Sequence, residues 1–329
     1  MVKLIGMIDS KRGIFMNKIF IEDLSKNYNQ EIISSFLVLQ KDLRQGAKDW
    51  YIRLKLGDKT GSITANIWNN AQSISKSFLE GDVVKIKGFV GKFKDNFQVT
   101  VSRIRVMNKD EYDLTNYMIS TLKDRDLLAT QLFKYIDEIK DTQIKELLKS
   151  IFEDKEFFTK FINSPGAKGW HHNFIGGLLE HTISVAKLCK FTSGEYPVNT
   201  DILMAGAILH DIGKVFEYNI KTIIDFSDEG RLVGHICLGD RFVSKKVEMI
   251  NNFSEETLIK IRHLILSHHG EYENASARLP QTIEAMILFF ADNLDAQATG
   301  ISQMMQETIN NKSKWTEYCK IHNRYFYLG

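Results

Sequence analysis

His210-Asp211-Ile212-Gly213-Lys214 sets an imidazole beside a carboxylate, and the chain's other histidines gather around this run. Eight of the nine lie between His171 and His269, and a late carboxylate, Asp292, follows them. Imidazole mixed with carboxylate holds Mn, Fe, Zn or Mg ions for phosphoester hydrolysis, so this part of the chain reads as a metal enzyme. Working outward, apolar residues recur every three or four positions, which predicts helices over about 178–191, 201–209, 238–251, 255–267 and 281–296. Asp201 is placed as an N-cap, and 223–233, with Asp228-Glu229-Gly230, reads as a small hairpin or a loop. Two further amphipathic stretches are marked by Leu122 to Ile136 and by Ile144 to Phe152.

Before Asp110 the period is two. Trp50, Ile52, Leu54 and Leu56 alternate with Tyr51, Arg53 and Lys55, and Gly57 to Gly61 turns the chain into Ile63, Ala65 and Ile67. A short helix over Asn69 to Phe78 precedes a strand from Val83 to Val90. In the last strand the parity changes between Val101 and Ile104, which predicts a bulge near Ser102 or a bend. Five strands with one intervening helix fit a small closed barrel of the oligonucleotide-binding (OB) kind. With the apolar residues inward, Arg53, Lys55, Trp68, Lys85, Lys87 and Phe89 face outward, and Lys92 and Lys94 occupy the next turn. Cations follow a phosphate backbone and aromatic rings stack on bases, worth about 1–3 kcal/mol per base. A lysine-rich solvated surface is the plainer alternative.

Charge divides the chain at the same place. Residues 1–110 carry 19 Lys+Arg against 11 Asp+Glu, a formal +8, whereas residues 111–329 carry 24 against 30, a formal −6. The basic part suits a polyanion and the acidic part suits cations. Three widely spaced cysteines make no disulfide framework and favour a reducing compartment. No long apolar run suggests a membrane span, and Asp9, Lys11, Arg12 and Glu22 break the N-terminal apolar stretches, so a cytoplasmic location without membrane contact is expected. The organisation expected is an extension over 1–31, an OB-fold nucleic-acid-binding domain over 32–110, a helical linker or support region over 111–165, a metal-dependent domain over 166–310 and a tail over 311–329.

His181, His210-Asp211, His235, His268 and Asp292 resemble the metal-binding series of the HD-domain phosphohydrolases, an all-α family named for the adjacent His-Asp pair. With the barrel pattern ahead and Gly176-Gly177-Leu178-Leu179-Glu180-His181-Thr182 alongside, the chain resembles the YhaM-type 3′-to-5′ exoribonucleases of Gram-positive bacteria over about residues 30–310. The resemblance implies hydrolysis of single-stranded RNA to nucleoside 5′-monophosphates, with single-stranded DNA a second candidate. It also implies His181, His210, Asp211 and Asp292 on one divalent ion and His235 and His268 on a second. Independently, Asp211 offers two oxygens and is the natural bridge. His269 competes with His268, because adjacent helical residues point about 100° apart. Lys214, three residues beyond Asp211, is a catalytic candidate with Asp211, offsetting charge on a phosphate oxygen. His172, Asn173, His269, Arg278 and Asn293 are candidates for supporting the ligands or touching substrate.

Mixed N/O ligation favours Mn, with Mg, Fe or Co as the other candidates. One alternative is a nucleotide or cyclic-nucleotide phosphohydrolase whose barrel is regulatory. Another is a non-enzymatic nucleic-acid-binding protein. Phe157, Phe158, Phe161 and Ile162, and the tail Tyr325-Phe326-Tyr327, either pack internally or form a homo-oligomer contact.

Overall fold

The structure is a computed structural model that describes residues 18–46, 49–93, 96–118, 121, 123–169, 172–220, 224–308 and 313–329. Lys94, His171, Leu122 and the first 17 residues of the expected extension lie outside the described residues. The chain divides into two compact units at residues 119/120.

The first unit is a closed five-stranded barrel, in the order β1-β2-β3-β5-β4, and has the expected OB architecture. Its strands are β1 (Glu31–Gln45), β2 (Trp50–Asp58), β3 (Gly61–Ile67), β4 (Val83–Phe93) and β5 (Asn96–Val106), with the short helix α1 (Ala71–Ile74) between β3 and β4. Strand β1 is long enough to pair with β4 through Glu31–Leu37 and with β2 through Leu37–Gln45, and a bulge between Val38 and Gln40 bends it from one partner to the other. Parallel pairing of Thr64–Asn66 with Gln98–Thr100 completes the ring. The parity change in β5 is a bulge at Ser102: Lys87 pairs with Arg103 and Gly88 with Val101, and the Ser102 hydroxyl donates to Lys87 O at 3.0 Å. Inward residues Phe36, Ile52, Leu54, Leu56, Ile86 and Val99 form the core.

The barrel unit extends beyond 32–110 at both ends. A 3₁₀ turn, Ile21–Asn27, buries Leu24 among the barrel's apolar residues. Its start is tied down by Ile21 N donating to Asp58 (2.9 Å) and by Ile19, which exchanges hydrogen bonds with the Ser34 hydroxyl. At the other end Tyr117 packs on Leu37 and Val83, its hydroxyl 2.6 Å from Ser35 Oγ. A barrel end needs an apolar plug, and strand periodicity does not announce one.

The second unit is helical: α2 (Arg125–Glu138), α3 (Thr142–Phe152), α4 (Lys155–Asn163), α5 (Gly177–Thr192), α6 (Thr200–Leu209), α7 (Lys214–Glu217), α8 (Asp228–Val247), α9 (Glu255–Ser267) and α10 (Ile283–Thr308). A small hairpin, β6 (Tyr218–Ile220) with β7 (Ile224–Phe226), precedes α8. Helices α2–α4 pack into the helical unit: Leu132, Leu147, Phe152 and Phe161 share one core with Leu178, Leu203, Leu264 and Leu288. Phe157 is also buried there, with Phe158 and Ile162 packed against it, so this aromatic group is internal. In the tail, Tyr325 and Tyr327 are exposed, and Tyr327 forms an isolated β-bridge with Trp315. Helix α6 is capped by Asn199, which accepts from Ile202 N (3.1 Å), rather than by Asp201. Asp201 instead accepts from Lys140 N and Asp141 N (3.1 and 2.8 Å), a long-range partnership that displaces the local one.

Candidate functional site

Two helices and the turn after a third bring one set of donor atoms together. His181 on α5, His210 and Asp211 just beyond α6, and Asp292 on α10 are held against the core by their buried neighbours. His181 Nε2 lies 3.2 Å from His210 Nε2, 3.4 Å from Asp211 Oδ2 and 3.1 Å from Asp292 Oδ1. His210 Nε2 lies 3.4 Å from the same Asp211 oxygen. Donor atoms of four residues from three parts of the fold face one point, a geometry suited to a cation.

The other oxygen of Asp211 faces a second group. Asp211 Oδ1 is 3.5 Å from both His235 Nε2 and His268 Nε2. All three atoms are buried, and none has a hydrogen-bond partner among the described residues. Leaving buried polar atoms unsatisfied costs about 1–3 kcal/mol each, so three at one place indicate a ligand. His269 joins them, with its nitrogen grouped with those of His235 and His268. Both members of the adjacent pair thus lie at this cluster, at the end of α9, where His268 keeps helical backbone angles (φ −64°, ψ −24°).

Each ring has its other nitrogen engaged. His210 Nδ1 donates to Ala207 O (3.0 Å), His268 Nδ1 to Ile265 O (2.7 Å) and His269 Nδ1 to Asn274 O (2.8 Å). His181 Nδ1 donates to Asp295 (2.7 Å) and His235 Nδ1 to Glu217 (3.0 Å). The hydrogen bond at Nδ1 turns each Nε2 inward and leaves it as the nitrogen a metal could use. Burial lowers the His268 pKa, and burial with His268 and His235 nearby pushes His269 down to about 3, so both rings are neutral at pH 7. Burial would raise Asp211, but the Lys214 and His210 charges and hydrogen bonds outweigh it and hold the carboxyl well below its usual range. Burial likewise disfavours charge on His181, yet Asp211, Asp292 and Asp295 around it raise its pKa well above normal.

Backbone shape places His235. Helix α8 is interrupted at Gly234, whose φ of 76° lies in the left-handed region, and the break releases His235 N to donate to Glu217 at 3.0 Å. Gly213, beside the His-Asp pair, allows close approach: a Cβ there would lie 1.9 Å from His235 O.

On the barrel, Arg53, Lys55, Phe89 and Trp68 are exposed, Trp68 stacked on its cross-strand neighbour Tyr51 with ring centres 4.8 Å apart. The register runs Arg53, Asn66, Thr100, Phe89 across four strands, a polar row bordered by aromatic rings. Lys85 and Lys87 are half-buried, and Lys87 pairs with Glu31 at 3.0 Å. Lys92 is exposed, with its ammonium over the Phe97 ring (4.7 Å).

Residues 178–297 match the family model for the HD domain. Residues 39–107 match that for the OB-fold nucleic acid binding domain, described as tRNA_anti-codon. The chain therefore joins an OB-fold domain to an HD domain. Over 50% of its length it is similar to 85% of the HD domain of the L. monocytogenes phosphodiesterase PgpH (19% identity, TM-score 0.29). Over 25% it is similar to 88% of the second OB-fold domain of replication protein A from Methanococcus maripaludis (22% identity, TM-score 0.22). Over 28% it is similar to 96% of the small single-stranded DNA-binding protein of Streptomyces coelicolor (17% identity, TM-score 0.21). Among the described residues, no helix is long and apolar enough to cross a membrane.

Other candidates in the HD domain are distributed unevenly. Lys214 is buried with Nζ 2.5 Å from Asp211 Oδ2, so it sits at the first donor set. His172 is buried and donates from Nε2 to Asp295 (2.9 Å). Asn293 is exposed and accepts from Gln297 (3.0 Å), turned away from Asp292 by the helical offset. Asn173 and Arg278 are exposed, and no contact among the described residues joins their side chains to either donor set. Asp295 and Glu217 escaped the sequence reading. Asp295 carried a usable signal, since it stands one helical turn beyond Asp292.

Proposed function

We propose that the protein is a metal-dependent 3′-to-5′ exoribonuclease that shortens single-stranded RNA and releases nucleoside 5′-monophosphates, with single-stranded DNA as a secondary substrate. The observation that carries the reading is the trio of buried, unpartnered atoms, Asp211 Oδ1, His235 Nε2 and His268 Nε2, beside a complete four-donor set. His181, His210, Asp211 and Asp292 would hold one divalent ion, and His235, His268, His269 and the second oxygen of Asp211 another. A nitrogen-rich N/O set suits Mn, with Mg, Fe and Co as competitors.

Bound divalent ions supply an acidified water and positive charge for the phosphate oxygens. The chain's own residues prepare that chemistry. Lys214 keeps Asp211 ionised as the shared carboxylate and retains two further ammonium N–H donors for a non-bridging phosphate oxygen. On the barrel, Arg53 and Lys55 offer charge to the phosphates and Trp68 and Phe89 offer stacking faces to bases. The exonuclease direction and the preference for RNA rest on the family resemblance in the sequence.

With Mn supplied, a 5′-labelled single-stranded RNA should become a ladder shortened from its 3′ end, and Asp211→Ala should stop it. Hydrolysis of free nucleotides without RNA shortening would establish the small-substrate enzyme instead. Binding without hydrolysis under any divalent ion would establish a scaffold.

A further inference from the structure

We infer that Asp295 and Glu217 are positioning carboxylates, one for each ion site, that act through His181 and His235. The inference rests on the two-ion reading above. Of the rings that turn Nε2 into the clusters, His210, His268 and His269 give Nδ1 to main-chain carbonyls within five residues of themselves. Local backbone sets those three. His181 and His235 instead depend on side chains: Asp295 is 114 residues from His181, and Glu217 is 18 from His235. A carboxylate acceptor fixes the ring's tautomer and makes it a more basic ligand than a carbonyl does.

Both carboxylates are themselves held. Asp295 is 8% exposed, and its Oδ2 accepts from His181 Nδ1 (2.7 Å) and His172 Nε2 (2.9 Å), while Oδ1 accepts from the Ser184 hydroxyl. His172 adopts a left-handed backbone (φ 50°), a costly conformation for a non-glycine residue, and its buried ring is seated on Asp295. His172, His181 and Asp295 are close enough to suggest a third metal group. Hydrogen-bond separations at Asp295 Oδ2 and the commitment of His181 Nε2 to the first donor set argue instead for support of that set. Glu217 is 5% exposed, and its Oε1 accepts from both the main-chain N and Nδ1 of His235, each at 3.0 Å. Two bonds from one residue to one oxygen fix the ring's place as well as its tautomer.

The test is Mn titration of the full chain in backgrounds that leave one site. With His235→Ala, Asp295→Asn should weaken the remaining first site about 10–100-fold. With His210→Ala, Glu217→Gln should weaken the remaining second site by a similar factor, and Asp295→Asn should leave it unchanged. Thermal unfolding in chelator reports whether each variant folds. Should Asp295→Asn fail to fold, Ser184→Ala replaces it, with a smaller loss confined to the first site. Equal weakening of both sites, or none at either, overturns the inference. Absence of Mn binding by the unmodified chain overturns the two-ion reading itself, a separable result.

Discussion

His268 Nε2 faces Asp211 Oδ1 at 3.5 Å, and neither atom has a hydrogen-bond partner among the described residues. With Nδ1–H committed to Ile265 O, the inward side of the His268 ring is a lone pair, so two electron-rich atoms confront each other in a buried space. A cation between them relieves that arrangement. The purified chain should therefore hold about two divalent ions, His268→Ala about one, and Asp211→Ala almost none. Elemental analysis after dialysis checks it; two ions retained by Asp211→Ala would remove the bridging assignment.

Removal of the ions should loosen the helical unit, because its ligands come from separate helices. At a free ion concentration one hundred times Kd, binding adds about 2.7 kcal/mol to stability, and at about 2–4 °C per kcal/mol chelation should lower Tm by roughly 5–10 °C. Calorimetry with and without chelator measures the shift. An unchanged Tm for a chain shown to have lost its metal would contradict the coupling.

Ion binding should also release a proton. His181 has its pKa raised well above normal by Asp211, Asp292 and Asp295 against the effect of burial, so near neutral pH it carries a proton where an ion would sit. His268 and His269 are lowered and contribute none there. The sign follows: affinity should fall as the pH is lowered through this range, by close to tenfold per pH unit for one proton displaced. Titration calorimetry in buffers of different ionisation heats counts the proton; a pH-independent affinity would argue against it.

On the barrel, Arg53→Ala and Lys55→Ala should each reduce the salt slope of single-stranded RNA binding by about one, whereas Lys87→Ala should do less because Glu31 already holds that ammonium at 3.0 Å. Trp68→Ala should cost about 1–3 kcal/mol, roughly 5- to 150-fold in Kd. Fluorescence anisotropy at several salt concentrations distinguishes these. Equal effects at Lys55 and Lys87, with none at Trp68, would place the strand elsewhere.

Gly213→Ala should displace the His235 backbone, since the new Cβ would lie 1.9 Å from its carbonyl oxygen. Overpacking of this kind costs about 1–3 kcal/mol. A lower Tm in chelator together with weakened binding at the second site is the expected result. Crystallography of the variant would show an unmoved His235 if the close approach is unimportant.

The sequence by itself determined the two fold classes, because side-chain period is a local property: period two before Asp110 and three to four after it. It even located the bulge at Ser102, since one extra residue flips strand parity. The residue types of the donor sets were legible for a similar reason, as imidazole and carboxylate are scarce in a helical core unless a ligand needs them. Tertiary structure decided the rest. Leu24 belongs to the barrel core, and Asp201 serves the α3 entry rather than its own helix, because each finds its partner far along the chain. His268 and His269 meet His235 only where the end of α9 and the break in α8 come together in the fold. Asp295 and Glu217 became visible when folding brought His181 and His235 against them, for hydrogen bonds across 114 and 18 residues leave no periodic trace.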